Sequence, residues 1–411
     1  MLQNSWFSRL VTPRKIFLGV FILLLNAFVW YYMSILTIDV YLRTLSLSAA
    51  ATLVIWVTYY GAVIAACVIG SIISRMPRIR LLYVWMILGM ISSFLPALSF
   101  IPPQAWSLVL GFALGLGLPA CLAYFADHST IEKRGKAGGI IFLSFSLSAA
   151  LLTVAFTQLD LTMSVLVSAL WRSLGLLVFI PLKTNPVVDA EKKKNVSFGD
   201  VFGDKSLRLY LAPWVMFLLI DRFEWSLWGR NLDPSLNTIA VIGPLLGSVA
   251  ALIAGALSDR LGRKRIVIGG FAALGLAYGV VGLAPNMLVS NVLVSWYLYI
   301  AVDGIAWGVL CVAFLLILWG DLSQHGGSEK YYLIGAAPYF LTAVIDSILT
   351  VTVPQIPAYE YAFSLASFFL FIAVLPLLFA PETLPEKKIE IRRLKGYIEQ
   401  ARKIREKHAP S

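Results

Sequence analysis

The sequence predicts an all-α integral membrane protein with twelve transmembrane helices in two pseudo-symmetric six-helix bundles. Of the 411 residues, 59% are hydrophobic and only 13% are charged, and long apolar runs recur from residue 16 almost to residue 380. Soluble chains carry about a quarter charged residues and rarely contain apolar runs of about 18 residues or more. The composition therefore excludes a water-soluble globular protein.

Each apolar run is long enough to cross the bilayer as a helix, which satisfies its own backbone hydrogen bonds in lipid. The sequence lacks the short alternating segments that are typical of a membrane β-barrel. The predicted spans, numbered helix 1 to helix 12, cover residues 16–36, 49–73, 81–101, 106–126, 138–158, 162–182, 207–228, 238–257, 266–284, 292–318, 332–353 and 361–380.

One polar stretch, residues 183–206, is long enough to link two bundles, so the expected units are residues 1–182, that linker, residues 207–380 and a tail, 381–411.

The N-terminus, the loops after even-numbered helices and the tail hold 29 of the 33 Lys and Arg residues. The positive-inside rule places them in the cytoplasm. We expect a multi-pass protein of the cytoplasmic membrane with both termini cytoplasmic. The basic tail is either an amphipathic helix on the membrane surface or a solvated charged segment.

The net charge of +11 does not indicate a nucleic-acid partner, because the basic residues lie in short clusters between apolar runs. The three cysteines, Cys67, Cys121 and Cys311, all fall inside those runs, so neither a disulfide framework nor a CxxC metal site is available. The sequence also lacks a GxxxxGK[ST] nucleotide loop. We therefore expect no cofactor, no metal and no enzymatic activity.

Two loops repeat across the linker at an offset of 185 residues, GSIISRMPRIR after helix 2 and GALSDRLGRKR after helix 8. The second loop resembles the GxxxDRxGRR-type signature of the major facilitator superfamily of secondary transporters, and the first departs from it at Ser74 and Pro77. Weaker likenesses are Glu132-Lys-Arg134-Gly135 after helix 4 and Pro381-Glu-Thr after helix 12. The candidate gate residues are Gly70, Arg75, Arg78, Arg80, Arg134, Gly255, Asp259, Arg260, Gly262, Arg263 and Arg265.

The resemblance implies that these loops latch the cytoplasmic side while the central cavity faces outward. We expect Asp259 to bond across to the loop that contains Arg134, and Ser74 to leave the partner latch weaker. For Arg78, Arg80 and Arg265, the alternative is that they only fix the orientation in the membrane.

Charged residues inside the predicted spans are costly, at about 2.5 kcal/mol or more for a carboxylate at the bilayer centre, and therefore indicate function. Asp303 in helix 10 is a candidate proton carrier, or alternatively a structural carboxylate. Asp346 in helix 11 is comparably placed, and Arg222 in helix 7 is the expected counter-charge for either. Asp221 and Glu224 complete the helix 7 cluster. By resemblance, Arg222, Asp303 and Asp346 surround the central cavity.

Arg172 in helix 6 is expected to snorkel or to make a structural hydrogen bond, with a role as anion ligand as the alternative. Some of the aromatic and polar residues at similar depth should line the cavity, and the candidates are Asn26, Trp30, Tyr31, Trp225 and Trp307.

The predicted function is secondary transport of a small organic solute by alternating access, coupled to protons. The expected partners are the solute, protons and membrane lipids, and the protein is expected to be a monomer. The alternatives are a non-transporting membrane sensor and a lipid or flippase-like protein on the same fold.

Overall fold

The computed structural model describes residues 5–44, 47–73, 77–182, 196–228, 237–283, 292–352, 359–384 and 394. Within these ranges the chain forms helices and no β-strand, which confirms the predicted fold class. The twelve long helices are α1 (Ser5–Thr44), α2 (Ala49–Ile72), α3 (Arg78–Ser93), α4 (Pro103–His128), α5 (Ile131–Phe156), α6 (Leu161–Leu182), α7 (Lys205–Trp228), α8 (Asn237–Leu261), α9 (Arg263–Leu283), α10 (Val292–Cys311), α11 (Ser328–Thr352) and α12 (Tyr359–Phe379).

Eleven of these helices are long and apolar enough to cross a membrane, judged on the described residues. The exception is α7, whose described part carries Arg208, Asp221 and Arg222. Helix ends differ from the predicted ones because an apolar run marks only the part of a helix that lies in lipid. Thus α1 extends well beyond residues 16–36, whereas α3 stops at Ser93 and a 3₁₀ turn with Pro96 follows.

Helices of the first and the last six pack mainly among themselves, as in the contacts of α1 with α6, of α2 with α4, of α8 with α10 and of α9 with α12. Two contacts join the sets extensively, α5 with α8 and α2 with α11. Bonds of Arg78, Arg134, Asp259 and Asp321 bring the described ends of α4 and α8, the starts of α3 and α5 and the segment after α10 together at one end of the bundle. We call this end the basic end, after the Lys and Arg residues around it.

Glycines bring α2 close to α4, and α8 close to α10. A Cβ atom on Gly111 or Gly115 of α4 would lie 2.2 Å from a carbonyl oxygen of α2. A Cβ atom on Gly304 or Gly308 of α10 would lie 2.2 or 2.0 Å from a carbonyl oxygen of α8. Small residues allow such backbone contact between membrane helices. The two glycine pairs are separated by the same offset, 193 residues, so the two crossings are repeats of one another.

Beyond Cys311, α10 continues through a π-helical turn, Val312–Ile317, and an α-helical turn, Leu318–Leu322, and from here on α10 denotes all three segments. The hydroxyl of Tyr332 in α11 donates to the carbonyl of Leu316, within the π turn, at 2.7 Å. Asp127 at the end of α4 and Asp321 at the end of α10 are 194 residues apart, one more than the glycine pairs. The π turn therefore accommodates one extra residue in α10, as single-turn π-bulges commonly do.

The described end of the linker lies on the start of α11. A short helix, Phe198–Gly203, begins with a capping box between Ser197 and Asp200. The hydroxyl of Tyr331 donates to Asp204 at 2.9 Å, and the Nζ of Lys330 donates to the carbonyl of Val196 at 2.5 Å. These bonds fix the linker to the basic end.

Candidate functional site

A cavity of about 510 Å³ lies between helices of the first and last six, and its charged residues are all on one side. The first six helices contribute Tyr32 of α1 and Phe142 and Ser146 of α5 to its wall. Among the described residues that line it, the charged ones are Asp221, Arg222 and Asp303, all from α7 and α10. One wall is therefore neutral and partly aromatic, and the other holds two carboxylates and one guanidinium.

Asp221 and Arg222 are both engaged by aromatic side chains. The indole Nε1 of Trp307 in α10 donates to Oδ1 of Asp221 at 2.6 Å. The guanidinium carbon of Arg222 lies 5.6 Å from the centre of the Tyr339 ring in α11, within the range of a cation–π contact. Trp307 and Tyr339 thus hold the charged part of α7 from two neighbouring helices.

Asp303 carries a buried oxygen, Oδ1, without a hydrogen-bond partner in the described part of the chain. The neighbouring Gly304 packs directly on the backbone of α8, which fixes this part of α10 beside the cavity. A buried carboxylate oxygen without a partner is unfavourable. Asp303 is therefore suited to hold a proton or to accept a hydrogen bond from a solute.

A smaller cavity of about 220 Å³ adjoins the first and is apolar. Both cavities share Phe142, Trp307 and Tyr339 in their linings. Helices α4 and α10 contribute equivalent positions to the smaller one, each pair 193 residues apart: Leu114 and Trp307, Leu118 and Cys311, Leu122 and Leu315. The protein thus offers a charged compartment and an apolar compartment side by side.

The structure brings only some of the predicted membrane charges together. Asp221, Arg222 and Asp303 line one cavity, whereas Asp346 is half-buried and lines neither cavity. Asp346 lies two helical turns along α11 from Tyr339, and its charge nevertheless acts on Asp221 and Arg222. The side chains of Glu224 and Trp225 lie outside the described residues.

Arg172 lies in the packing between α1, α3 and α6 and does not line either cavity. Its side chain is fully buried and donates from Nη1 to Oδ1 of Asn26 at 2.7 Å. Its guanidinium carbon lies 4.5 Å from the Trp30 ring and 4.1 Å from the Trp85 ring. The structure therefore differs from the prediction that Asn26 and Trp30 line the cavity. These two residues, four positions apart, share the face of α1 that packs on α6, while Tyr31 lines the smaller cavity.

At the basic end, the last turn of α8 and the first residue of α9 form hydrogen bonds with the start of α5. The carboxylate of Asp259 accepts the backbone N–H groups of Gly135 at 2.9 Å and Lys136 at 2.7 Å. Arg263 donates to Asp259 at 2.5 Å and to the carbonyl of Ile131 at 2.6 Å. The expected bond from Asp259 to the segment around Arg134 is thus present in the structure.

Glycines allow this close contact. A Cβ on Gly135 would lie 2.3 Å from the carbonyl oxygen of Gly255, and a Cβ on Gly255 would lie 2.2 Å from that of Gly135. Gly262 has a φ of +104°, which favours glycine, and the next residues begin α9. Their N–H groups donate to Glu382, from Arg263 at 2.8 Å and from Lys264 at 3.2 Å.

Three acidic residues complete the gate and were not among the predicted site residues. Asp321 accepts from Arg134 at 2.5 Å and from Arg263 at 3.0 Å, and its side chain is fully buried. Arg78 pairs with both Asp127 and Glu329. Asp127 and Asp321 fall just beyond the predicted ends of helices 4 and 10, at 126 and 318. The signal that could have found them is an aspartate at the same place in both halves.

The remaining predicted gate residues have different surroundings. Arg80, Arg260 and Arg265 are exposed, as expected for residues that only set orientation. Gly70 is buried against α4, where a Cβ would lie 1.9 Å from the carbonyl oxygen of Leu116. Arg75 lies outside the described residues.

Comparisons with known proteins agree with this arrangement. Residues 16–314 match the family model described as Major Facilitator Superfamily. No curated protein sequence matches the chain significantly. Among solved structures, the chain is similar to the proton:xylose symporter XylE bound to 6-bromo-6-deoxy-D-glucose, with a TM-score of 0.68, 15% identity and coverage of 90% of this chain and 96% of that chain. It is also similar to the human organic anion transporter MFSD10 (TETRAN), with a TM-score of 0.63, 13% identity and coverage of 89% and 99%.

Proposed function

Because this chain belongs to the major facilitator superfamily, and is thus a membrane transporter, we propose that it moves a small organic solute in exchange for, or together with, protons. The observation that carries the proposal is Asp303, whose buried Oδ1 lacks a hydrogen-bond partner in the described part of the chain and lines a cavity between the two sets of helices. Inside a membrane, such a carboxylate is tolerated when a proton or an opposite charge neutralises it.

In this proposal, residues 1–182 and 207–380 act as two units that rock about the central cavity. The contacts of Asp259, Arg263 and Asp321 join the units at the basic end, so the described state is closed there. We assign the basic end to the cytoplasm, because loops rich in Lys and Arg are retained on that side. The protein then works as a monomer in the cytoplasmic membrane, with both termini in the cytoplasm.

Proton coupling follows from the charges of the cavity. With Asp303 ionised, the cavity holds two negative charges and one positive charge, and with Asp303 protonated it is neutral. Asp221 and Arg222 interact electrostatically and each has an aromatic partner, so we assign the transported proton to Asp303. Closing the cavity away from water favours the neutral state. Protonation of Asp303 therefore makes closure and reopening easier when no solute is bound.

The test uses purified protein in vesicles that contain the pH-sensitive dye pyranine. Sugars, amino acids, organic anions and organic cations are first screened for stabilisation of the protein against heat. A stabilising solute is then added under a pH gradient, and we expect it to move protons through the native protein. Asp303→Asn should abolish this movement, whereas exchange of labelled solute at saturating concentration should persist.

The matched control is Asp160→Asn, the same chemical change in an exposed residue just before α6, outside both cavity linings. It should leave proton movement intact. If Asp303→Asn retains full coupling, or if Asp160→Asn also abolishes it, the assignment of the proton carrier is wrong.

A further inference from the structure

We propose that the transported solute is an amphipathic organic cation, with its charged group beside Asp303 and its apolar body in the smaller cavity. This inference rests on the proposed function, because it takes the two adjoining cavities as the solute site. It adds the chemical class of the solute and the direction of its movement relative to protons.

The charge of the site favours a cation. Of its three charged residues, Asp221 receives the hydrogen bond of Trp307 and lies beside Arg222 in the chain, so these two charges offset each other. Asp303 is left as the excess charge, with its Oδ1 buried and unpartnered in the described part of the chain. A solute with one positive charge neutralises the cavity. An anion would add a second uncompensated negative charge at a desolvated site, which is costly.

The rings around the cavity are suited to the same class of solute. Tyr32, Phe142, Tyr299, Trp307 and Tyr339 all line the charged compartment. Aromatic faces attract cations within about 6 Å of the ring centre, and the attraction is stronger at desolvated sites. A positive group near Asp303 therefore meets both a carboxylate and aromatic side chains.

The smaller, apolar cavity is suited to an apolar part of the solute. Its wall consists of aromatic and aliphatic side chains such as Phe28, Leu114, Leu118 and Phe145, together with the ring of Trp307. Its volume of about 220 Å³ adds to the 510 Å³ of the charged compartment. Pockets of this combined size hold drug-sized molecules, and the polar groups fix their orientation. Here the charge fixes one end of the solute and the apolar compartment takes the other.

Competition for Asp303 determines the direction of coupling. When the cation enters, the carboxyl of Asp303 loses its proton to water, and the carboxylate then faces the cation. When the cation leaves, the carboxylate takes a proton from water. Only one of the two can neutralise Asp303 at a time, so cation and proton move in opposite directions.

The test measures binding to purified protein in detergent by isothermal titration calorimetry, with two pairs of probes of similar shape and opposite charge. The pairs are tetraphenylphosphonium with tetraphenylborate, and benzyltrimethylammonium with phenylmethanesulfonate. We expect at least one cation to bind more tightly than its matched anion, and its affinity to fall as the pH is lowered. Asp303→Asn should weaken cation binding by about thirtyfold or more, as expected when one partner of a desolvated charge pair is removed.

Two further variants distinguish a specific loss of cation binding from a folding defect. Asp303→Glu keeps the charge and should restore much of the cation binding, and Asp160→Asn, outside both cavity linings, should bind like the native protein. Binding of an anion as tightly as its matched cation, failure of all four probes to bind, or cation binding that survives Asp303→Asn would each overturn the proposed solute class.

This binding experiment, combined with the vesicle assay described above, separates the inference from the proposed function. If cations bind through Asp303 but a pH gradient does not drive their transport, proton coupling fails and the solute class stands. If a pH gradient drives transport of a sugar or an organic anion instead, the solute class fails and proton coupling stands.

Discussion

Substitution of Asp259 by asparagine should open the basic end. Asp259 accepts two backbone N–H groups at the start of α5, from Gly135 at 2.9 Å and Lys136 at 2.7 Å, and it is only 6% exposed. Its pairing with Arg263 lies within one set of helices and does not resist separation of the two sets. Of the bonds that Asp259 makes, the two to α5 are therefore the ones that break on opening.

The size of the effect follows from these two bonds. Each hydrogen bond to a charged acceptor contributes about 2 kcal/mol, and a bond to the neutral amide oxygen that asparagine retains contributes about 1 kcal/mol. The loss from two charged bonds to one neutral bond is about 3 kcal/mol. This corresponds to a shift of about a hundredfold in the ratio of open to closed molecules at the basic end.

The assay is the rate at which a maleimide labels a cysteine placed at Gly138, in a background without the three native cysteines. Gly138 is buried in α5 against α10, and a Cβ there would lie 3.4 Å from Leu316, an ordinary contact. Asp160→Asn is the matched control, because Asp160 accepts the N–H of Met163 at 2.7 Å at the start of α6, at the opposite end of the bundle. Labelling that is no faster in Asp259→Asn than in Asp160→Asn would show that Asp259 does not hold the basic end closed.

Three further substitutions test other contacts. Glu329→Gln should speed labelling at the basic end by only a few fold, since its ion pair is partly exposed and is worth about 1 kcal/mol. Gly308→Ala should lower the melting temperature, because its Cβ would lie 2.0 Å from a carbonyl oxygen of α8, whereas Gly269→Ala, with open space, should not. Arg172→Lys should also lower the melting temperature, by loss of stacking on two tryptophans, and should leave probe binding unchanged.

The sequence was sufficient to predict the helices and to identify the charged residues that are costly in lipid. Asp303 and Arg222 were found because a charge in an apolar run is conspicuous, and Asp259 because its loop matches a known signature. The partner of a buried charge cannot be predicted in this way. Arg172 is stabilised by two tryptophans and Asn26, and nothing in the spacing of those residues indicates that they meet.

The ion pairs of residues at helix ends could also not be predicted from the sequence. Asp127 and Asp321 lie just past the apolar runs, where nothing in the sequence distinguishes a carboxylate from an ordinary loop residue. Only the fold shows that they hold Arg78, Arg134 and Arg263. Counting residues from a helix start was enough to expect that the charges of Asp346 and Arg222 interact, but not to tell that Asp346 lies outside the cavity lining.

The extra residue in α10 bears on any attempt to rebuild this protein from two copies of its first half. One residue inserted into a regular helix turns the following part by about 100° and advances it by about 1.5 Å. The π turn takes up this displacement, and a second α4 in place of α10 would have neither the extra residue nor the turn. Such a chimera should keep both the glycine crossing with α8 and a carboxylate beside Arg134 and Arg263. What it would lose is the π turn itself, and with it the carbonyl group that receives the hydroxyl of Tyr332.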